Sequence, residues 1–302
     1  MSAEQLERIE RPLRHLFRTT RPVIPAHASA EAMLESAIRC GVEKRLLAVV
    51  GGESGERLAR IAEACGKEVV RAVVPPGRVL EPDHLARFLG GPEIDAVSVA
   101  QVDASSGALA PLEALARVTR GKEDVLFLVD ATLSLAADPL EFDLWQLDFA
   151  CGSSEQSLGI EGGPALAVAS KRLLARAASE PHRGWVLDLV RLDAEVRDRR
   201  LPGSEIRVGE LERALVRLAE AEGVEGSWRR HARVRAEVDA WASTSRSLEP
   251  LAATGRRGGA LTVFRRAGAT PALATLLHPG HLAPQHLATL LAGLDASTSP
   301  VT

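Results

Sequence analysis

The 302-residue chain contains no tyrosine, and only four of its 37 basic residues are lysines: Lys44, Lys67, Lys122 and Lys171. Cysteine is also scarce. Cys40, Cys65 and Cys151 form no CxxC pair or metal-ligand spacing, which points to a reducing, cytoplasmic setting and against a disulfide framework. No apolar run approaches the roughly 18–20 residues needed to span a bilayer, so no membrane partner is expected. The start, Met1-Ser2-Ala3-Glu4-Gln5-Leu6-Glu7, lacks the apolar stretch of a secretory signal. A formal net charge of −3 argues against a general nucleic-acid binder.

What is present is a strand–helix alternation. Arg45–Val50, Glu68–Val74, Ala96–Val102, Val125–Val129, Phe149–Cys151 and Ala165–Val168 read as short buried strands. Between them lie helices at Ser29–Cys40, Glu56–Cys65, Pro82–Leu89 and Leu112–Thr119. Continuous apolar strands separated by helices of about three turns imply an α/β fold, a three-layer αβα sandwich around a mainly parallel sheet. Residues 5–19 show helical spacing interrupted by Pro12. The last third differs, with long Arg/Glu-laced helices at Gly209–Glu222 and Trp228–Trp241, one strand-like run at Ala260–Phe264, and a helix at Pro284–Leu294. This layout divides into an N-terminal helix (1–20), a large domain (21–224) and a reduced C-terminal α+β domain (225–302).

Several segments, in order along nearly the whole chain, resemble the class V aminotransferases of the alanine–glyoxylate/serine–pyruvate type, pyridoxal-phosphate (PLP) fold type I. Val129-Asp130-Ala131-Thr132-Leu133-Ser134 resembles the family's Val-Asp-Ala-Val-Ser-Ser. Asp138-Pro139 through Asp143-Leu144-Trp145-Gln146-Leu147-Asp148 resembles its Asp-Pro…Asp-x-Trp-x-x-Asp stretch. Ala100-Gln101-Val102-Asp103-Ala104-Ser105-Ser106-Gly107 is similar to its His-x-Glu-Thr-Ser-Thr-Gly loop, and Glu222-Gly223-Val224-Glu225…Trp228-Arg229-Arg230-His231 to a Glu-Gly-Leu-Glu…Trp-Arg-x-His junction.

The resemblance implies that Asp130 pairs with the pyridinium nitrogen of PLP, and that Ser153, Ser105, Asp103 and Ser29 belong to the same cleft. It also exposes departures. The lysine loop reads Gly152-Ser153-Ser154-Glu155-Gln156-Ser157-Leu158-Gly159, so Gln156, or Glu155 one residue earlier, stands where the family has its Schiff-base lysine. A carboxamide cannot form an imine, and a carboxylate beside a phosphate repels it. The Gly-Ser-Gly-Thr phosphate cup reads Ala28-Ser29-Ala30-Glu31, and Ser54 replaces a ring-stacking aromatic. Leu201–Ile206 replaces a Thr-Pro-x-Thr-Pro segment that reaches the neighbouring subunit, and Thr275 stands at a substrate-carboxylate arginine. The leading Pro-Gly-Pro segment is not found, and the link between Phe264 and Thr275 is short for the family's small domain.

The four lysines read as solvated turn or helix-end charges. Cys151 is the one candidate reactive thiol, though a small buried strand residue explains it more simply. His278, His281 and His286 more simply echo a His-x-Gly-His turn and a helix surface, so no metal is expected. Gly51-Gly52-Glu53-Ser54-Gly55 lacks the Lys-Ser/Thr ending of a phosphate loop.

The expectation is therefore a catalytically inactive, aminotransferase-like pseudoenzyme that acts as a binding, scaffold or regulatory protein, a homodimer without cofactor that works through a protein partner. The alternative is an enzyme that reuses the cleft, either with non-covalent PLP held by Asp130, Ser29 and Ser153 or with lysine-independent chemistry on Asp103, Asp130 and Glu155. Assembly with an active paralogue is a third arrangement.

Overall fold

Pro12 does not stop the first helix. In a computed structural model that describes residues 3–200, 208–245, 248–266, 275–277 and 291, α1 runs from Ala3 to Phe17 with Pro12 inside it. A mid-helix proline costs roughly 3 kcal/mol through its missing N–H and its clash with the preceding turn. Packing offsets this, because Ile9, Leu13, Leu16 and Phe17 are all buried in the main core.

The alternation read from the sequence becomes β1 (Ile24–Ala26), α2 (Ala30–Gly41), β2 (Arg45–Val50), α3 (Glu53–Ala64), β3 (Glu68–Val73), α4 (Pro82–Leu89), β4 (Ala96–Ala100), α5 (Leu112–Arg120) and β5 (Leu126–Asp130). After a loop come β6 (Phe149–Ser153), α6 (Ser154–Leu158), β7 (Ala165–Ala169), α7 (Lys171–Ser179) and α8 (Leu189–Arg197). The sheet order is β1-β7-β6-β5-β4-β2-β3. Strands β3, β2, β4, β5 and β6 run parallel, while β7 is antiparallel to β6 and β1 to β7.

Alternate residues of each central strand feed separate cores. Leu47, Val49, Val97, Val99, Phe127 and Val129 pack toward α1, α4, α5 and α9 (Val208–Ala221). Leu46, Ala48, Ala96, Leu126 and Leu128 pack toward α2, α3, α7 and α8. Two covered faces explain why the strands read as unbroken apolar runs. The layering is the αβα sandwich around a mainly parallel sheet that is expected from the sequence.

Gly223, at φ +65°, separates α9 from α10 (Gly223–Ala242), which starts five residues before the expected Trp228. A small antiparallel sheet of β8 (Leu248–Pro250), β9 (Thr262–Arg266) and β10 (Thr275–Leu277) follows. Only β9 overlaps the strand-like run read from the sequence. Residues 201–206 and the three C-terminal histidines lie outside the described residues, as does the helix expected at 284–294 except for Leu291. The side chain of Thr275 lies outside them too.

No described helix is long and apolar enough to cross a membrane. Among the described residues no group of acidic, histidine or cysteine side chains is arranged to hold a metal ion.

Candidate functional site

Ligands of open α/β sheets bind beyond the carboxyl ends of the strands. Here the ends of β5 and β6 meet the N-termini of α2 and α3 around a cleft of about 540 Å³. Its walls include Ser29, Glu31, Arg57, Thr132, Ser153, Glu155 and Gln156.

Asp130 closes β5 and is 4% exposed. One carboxylate oxygen accepts the backbone N–H of Thr132 at 2.9 Å, and the other stands 3.6 Å from Nη2 of Arg57. Arg57 projects from α3, and its Nε lies 3.2 Å from Oε1 of Glu31 in the first turn of α2. A single guanidinium therefore bridges two carboxylates from two other elements. Sequence reasoning missed Arg57, although a basic residue in the first turns of a helix that follows a parallel strand was a usable signal.

Ser29 caps α2, its hydroxyl accepting the N–H of Ala32 at 3.2 Å. Met33 donates its amide to the carbonyl of Ser29, so the amides of Ala30 and Glu31 are left without an intrahelical acceptor. Ser153 caps α6 in the same way, accepting from the amides of Glu155 and Gln156 at 3.2 and 3.4 Å. Both candidates for the lysine position are exposed at the cleft wall, and Oε2 of Glu155 accepts the amide of Gly162.

Asp103 and Ser105 face elsewhere. Asp103 accepts the amide and hydroxyl of Ser105, the hydroxyl of Ser106 and the amide of Ser54. The hydroxyl of Ser105 accepts the amide of Glu53. These contacts fasten the loop after β4 to the N-terminus of α3, and neither side chain lines the cleft. Gly52 allows the approach, since a Cβ there would meet Oδ1 of Asp103 and Oγ of Ser105 at 2.2 Å.

None of the four lysines lines the cleft. Lys44, Lys122 and Lys171 are exposed and Lys67 is half-buried, with Lys44 3.8 Å from Glu68. Cys151 is fully buried in β6, its thiol directed to the carbonyl of Ala30 at 3.5 Å. Burial, and then the neighbouring Asp130 charge, push that thiol well above its ordinary range, the opposite of a reactive cysteine.

The donor set suits a phosphorylated pyridine in part. The serine-capped helix start suits an anion, whereas Asp130 is not among the residues that wall the cleft and is joined to it through Arg57 and Thr132. Arg57 has a buried Nε with no aligned hydrogen-bond acceptor, which an anionic oxygen would satisfy.

Residues 49–195 match the aminotransferase class-V family. The (S)-ureidoglycine–glyoxylate transaminase of Bacillus subtilis is 29% identical over 156 residues, 51% of this chain and 37% of that protein. Alanine–glyoxylate aminotransferase 1 of Saccharomyces cerevisiae is 29% identical over 147 residues, 47% of this chain and 38% of the relative. The matched stretches thus span well under half of these relatives. A solved alanine–glyoxylate aminotransferase from Nostoc sp. superposes with a TM-score of 0.79 at 25% identity, covering 88% of this chain and 72% of that one. The ureidoglycine–glyoxylate aminotransferase structure from B. subtilis gives 0.85 at 22% identity, covering 97% and 84%, and so speaks for the fold alone.

This kinship corrects one expectation. The expected absence of a cofactor does not stand, because the family matched by residues 49–195 and these relatives are PLP-dependent aminotransferases. The chain is thus similar to the class V aminotransferases over residues 49–195, and its fold is that of the PLP fold type I transferases.

Proposed function

We propose that the chain holds PLP non-covalently in this cleft and, without a lysine there, works as a binding or regulatory protein and not as a turning-over transaminase. Ser153 would face the ring substituents and Ser29 with the first amides of α2 the phosphate, while Asp130, joined to the cleft wall through Arg57, is the ring-nitrogen partner that the family resemblance implies. When bound, PLP supplies an electron sink to amines and amino acids. The chain's own residues orient the ring and hold the anion, but Gln156 and Glu155 offer no amine to exchange with a substrate. The observation that carries this reading is the open cleft, walled by Ser29, Ser153, Glu155 and Gln156 with no lysine among them.

Lysine-independent chemistry on three carboxylates finds less support, since both oxygens of Asp103 are taken by neighbouring hydroxyls and amides. Assembly as a homodimer belongs to this proposal by analogy with the family.

Titration with PLP tests it. At 100 times the dissociation constant, binding raises stability by about 2.7 kcal/mol. The expected result is a melting shift that dialysis reverses, with no borohydride-reducible adduct and no amino transfer between alanine and glyoxylate. An adduct on any lysine, or turnover, overturns the reading.

A further inference from the structure

The first turn of α2 carries its own anion. We infer that Glu31 is an internal competitor for the phosphate of a PLP-class ligand, so that affinity is governed by displacing Glu31 from Arg57. This rests on the proposed reading of the cleft and deepens it.

Three features place Glu31 in that role. It sits in the first turn of α2, where anions gain from free amides and the helix dipole, and where Ser29 supplies the cap. Its carboxylate approaches Nε of Arg57 at 3.2 Å, and that guanidinium is the only arginine or lysine among the described cleft-lining residues. The contact is loosely built. Nε is buried yet lacks an aligned acceptor, while the Glu31 side chain is 58% exposed. A part-solvated ion pair of this kind contributes little and opens readily. A phosphate has three oxygens that can satisfy the Arg57 N–H groups and the amides of Ala30 and Glu31 together. With Glu31 in place, the same dianion meets a like charge at the cup.

Arg57 also stands 3.6 Å from Asp130, so the competition has a second branch. Freed from Glu31, the guanidinium either turns to the incoming phosphate, as inferred, or closes on Asp130 and hides the ring-nitrogen partner. The two branches give opposite changes in affinity.

The experiment measures binding of PLP, pyridoxal and inorganic phosphate by equilibrium dialysis to the wild-type chain, Glu31→Gln and Glu31→Ala, with melting curves to verify folding. Removing one part-solvated like charge should tighten PLP binding by about 5-fold or more in both variants. Inorganic phosphate should gain in parallel, and pyridoxal, which lacks the phosphate, should stay within about 2-fold. Adding Arg57→Gln to Glu31→Gln should abolish the gain. Unchanged or weakened PLP binding in folded variants overturns the inference, as does an equal gain for pyridoxal. If the wild type takes up PLP and the variants show no gain, this inference alone fails. If no form takes up PLP, the proposed function fails with it.

Discussion

Asp138 receives the backbone N–H of Gly259 on both of its carboxylate oxygens, at 3.0 and 2.8 Å, with Arg235 3.8 Å away. The pair ties the loop after β5 to the segment entering β9. Burial raises the Asp138 carboxyl from its ordinary 3.8 to about 6, the Gly259 bond and then Arg235 opposing the shift. Between pH about 4 and 6 the folded chain keeps a proton that the unfolded chain has released. This group's contribution to stability is therefore fully present below the unfolded value and is lost as pH rises through 6. Asp138→Asn retains an acceptor for Gly259 but cannot ionise. Its stability relative to wild type should climb across that window by about 1–3 kcal/mol and then level off. Denaturant unfolding at a series of pH values measures it, and a pH-independent difference would count against the assignment.

Restoring an amine tests the lysine position itself. Gln156 and Glu155 are adjacent on the cleft wall at the start of α6. Incubated with PLP and then reduced with borohydride, either Gln156→Lys or Glu155→Lys should yield a covalent adduct mapped to the new residue. The wild-type chain should yield none. The variant that reacts reports the register of the loop.

Asp148 is a buried junction. Its carboxylate accepts the amide of Phe127 at 2.8 Å, the hydroxyl of Ser170 at 2.8 Å and Nε of Arg172 at 3.0 Å. Asp148→Ala strands these donors, so a loss of about 3 kcal/mol in unfolding free energy is expected. Arg172→Ala should cost less, because Phe127 and Ser170 still hold the carboxylate.

Gly55 marks where α3 meets β2. A Cβ at this position would lie 2.1 Å from the carbonyl oxygen of Val49 and 2.8 Å from Cα of Val50, both rigid backbone. Gly55→Ala should destabilise by about 2 kcal/mol or more through overpacking. Because α3 also carries Arg57, the same change should weaken PLP binding. Thermal melting and the dialysis assay separate the two effects.

The parallel strands were legible because their residues are buried on both faces, as in Leu126-Phe127-Leu128-Val129 of β5. β1 was not. Three residues, Ile24-Pro25-Ala26, carry no period, and their pairing with Ala165–Ala167 of β7 is set entirely by tertiary contact. β8 escaped for similar reasons, being three residues that end in Pro250. Ser153, on the cleft wall, and Asp130, behind Arg57, each terminate a strand that reads clearly, so their positions on the sheet were legible. The bridge from Glu31 through Arg57 to Asp130 joins three elements distant in sequence, and no local pattern encodes it. Asp103 and Ser105 were found as a motif, but whether a hydroxyl-rich turn faces a ligand or caps a helix depends on where α3 begins.

The pairing of β1 with β7 has a kinetic consequence. About 140 residues separate Ile24 from Ala167, so the wall formed by residues 26–31 joins the one formed by 152–156 only after a large chain loop has closed. Uptake of PLP during refolding would then register completion of the sheet's far edge, lagging the earlier recovery of helical circular dichroism.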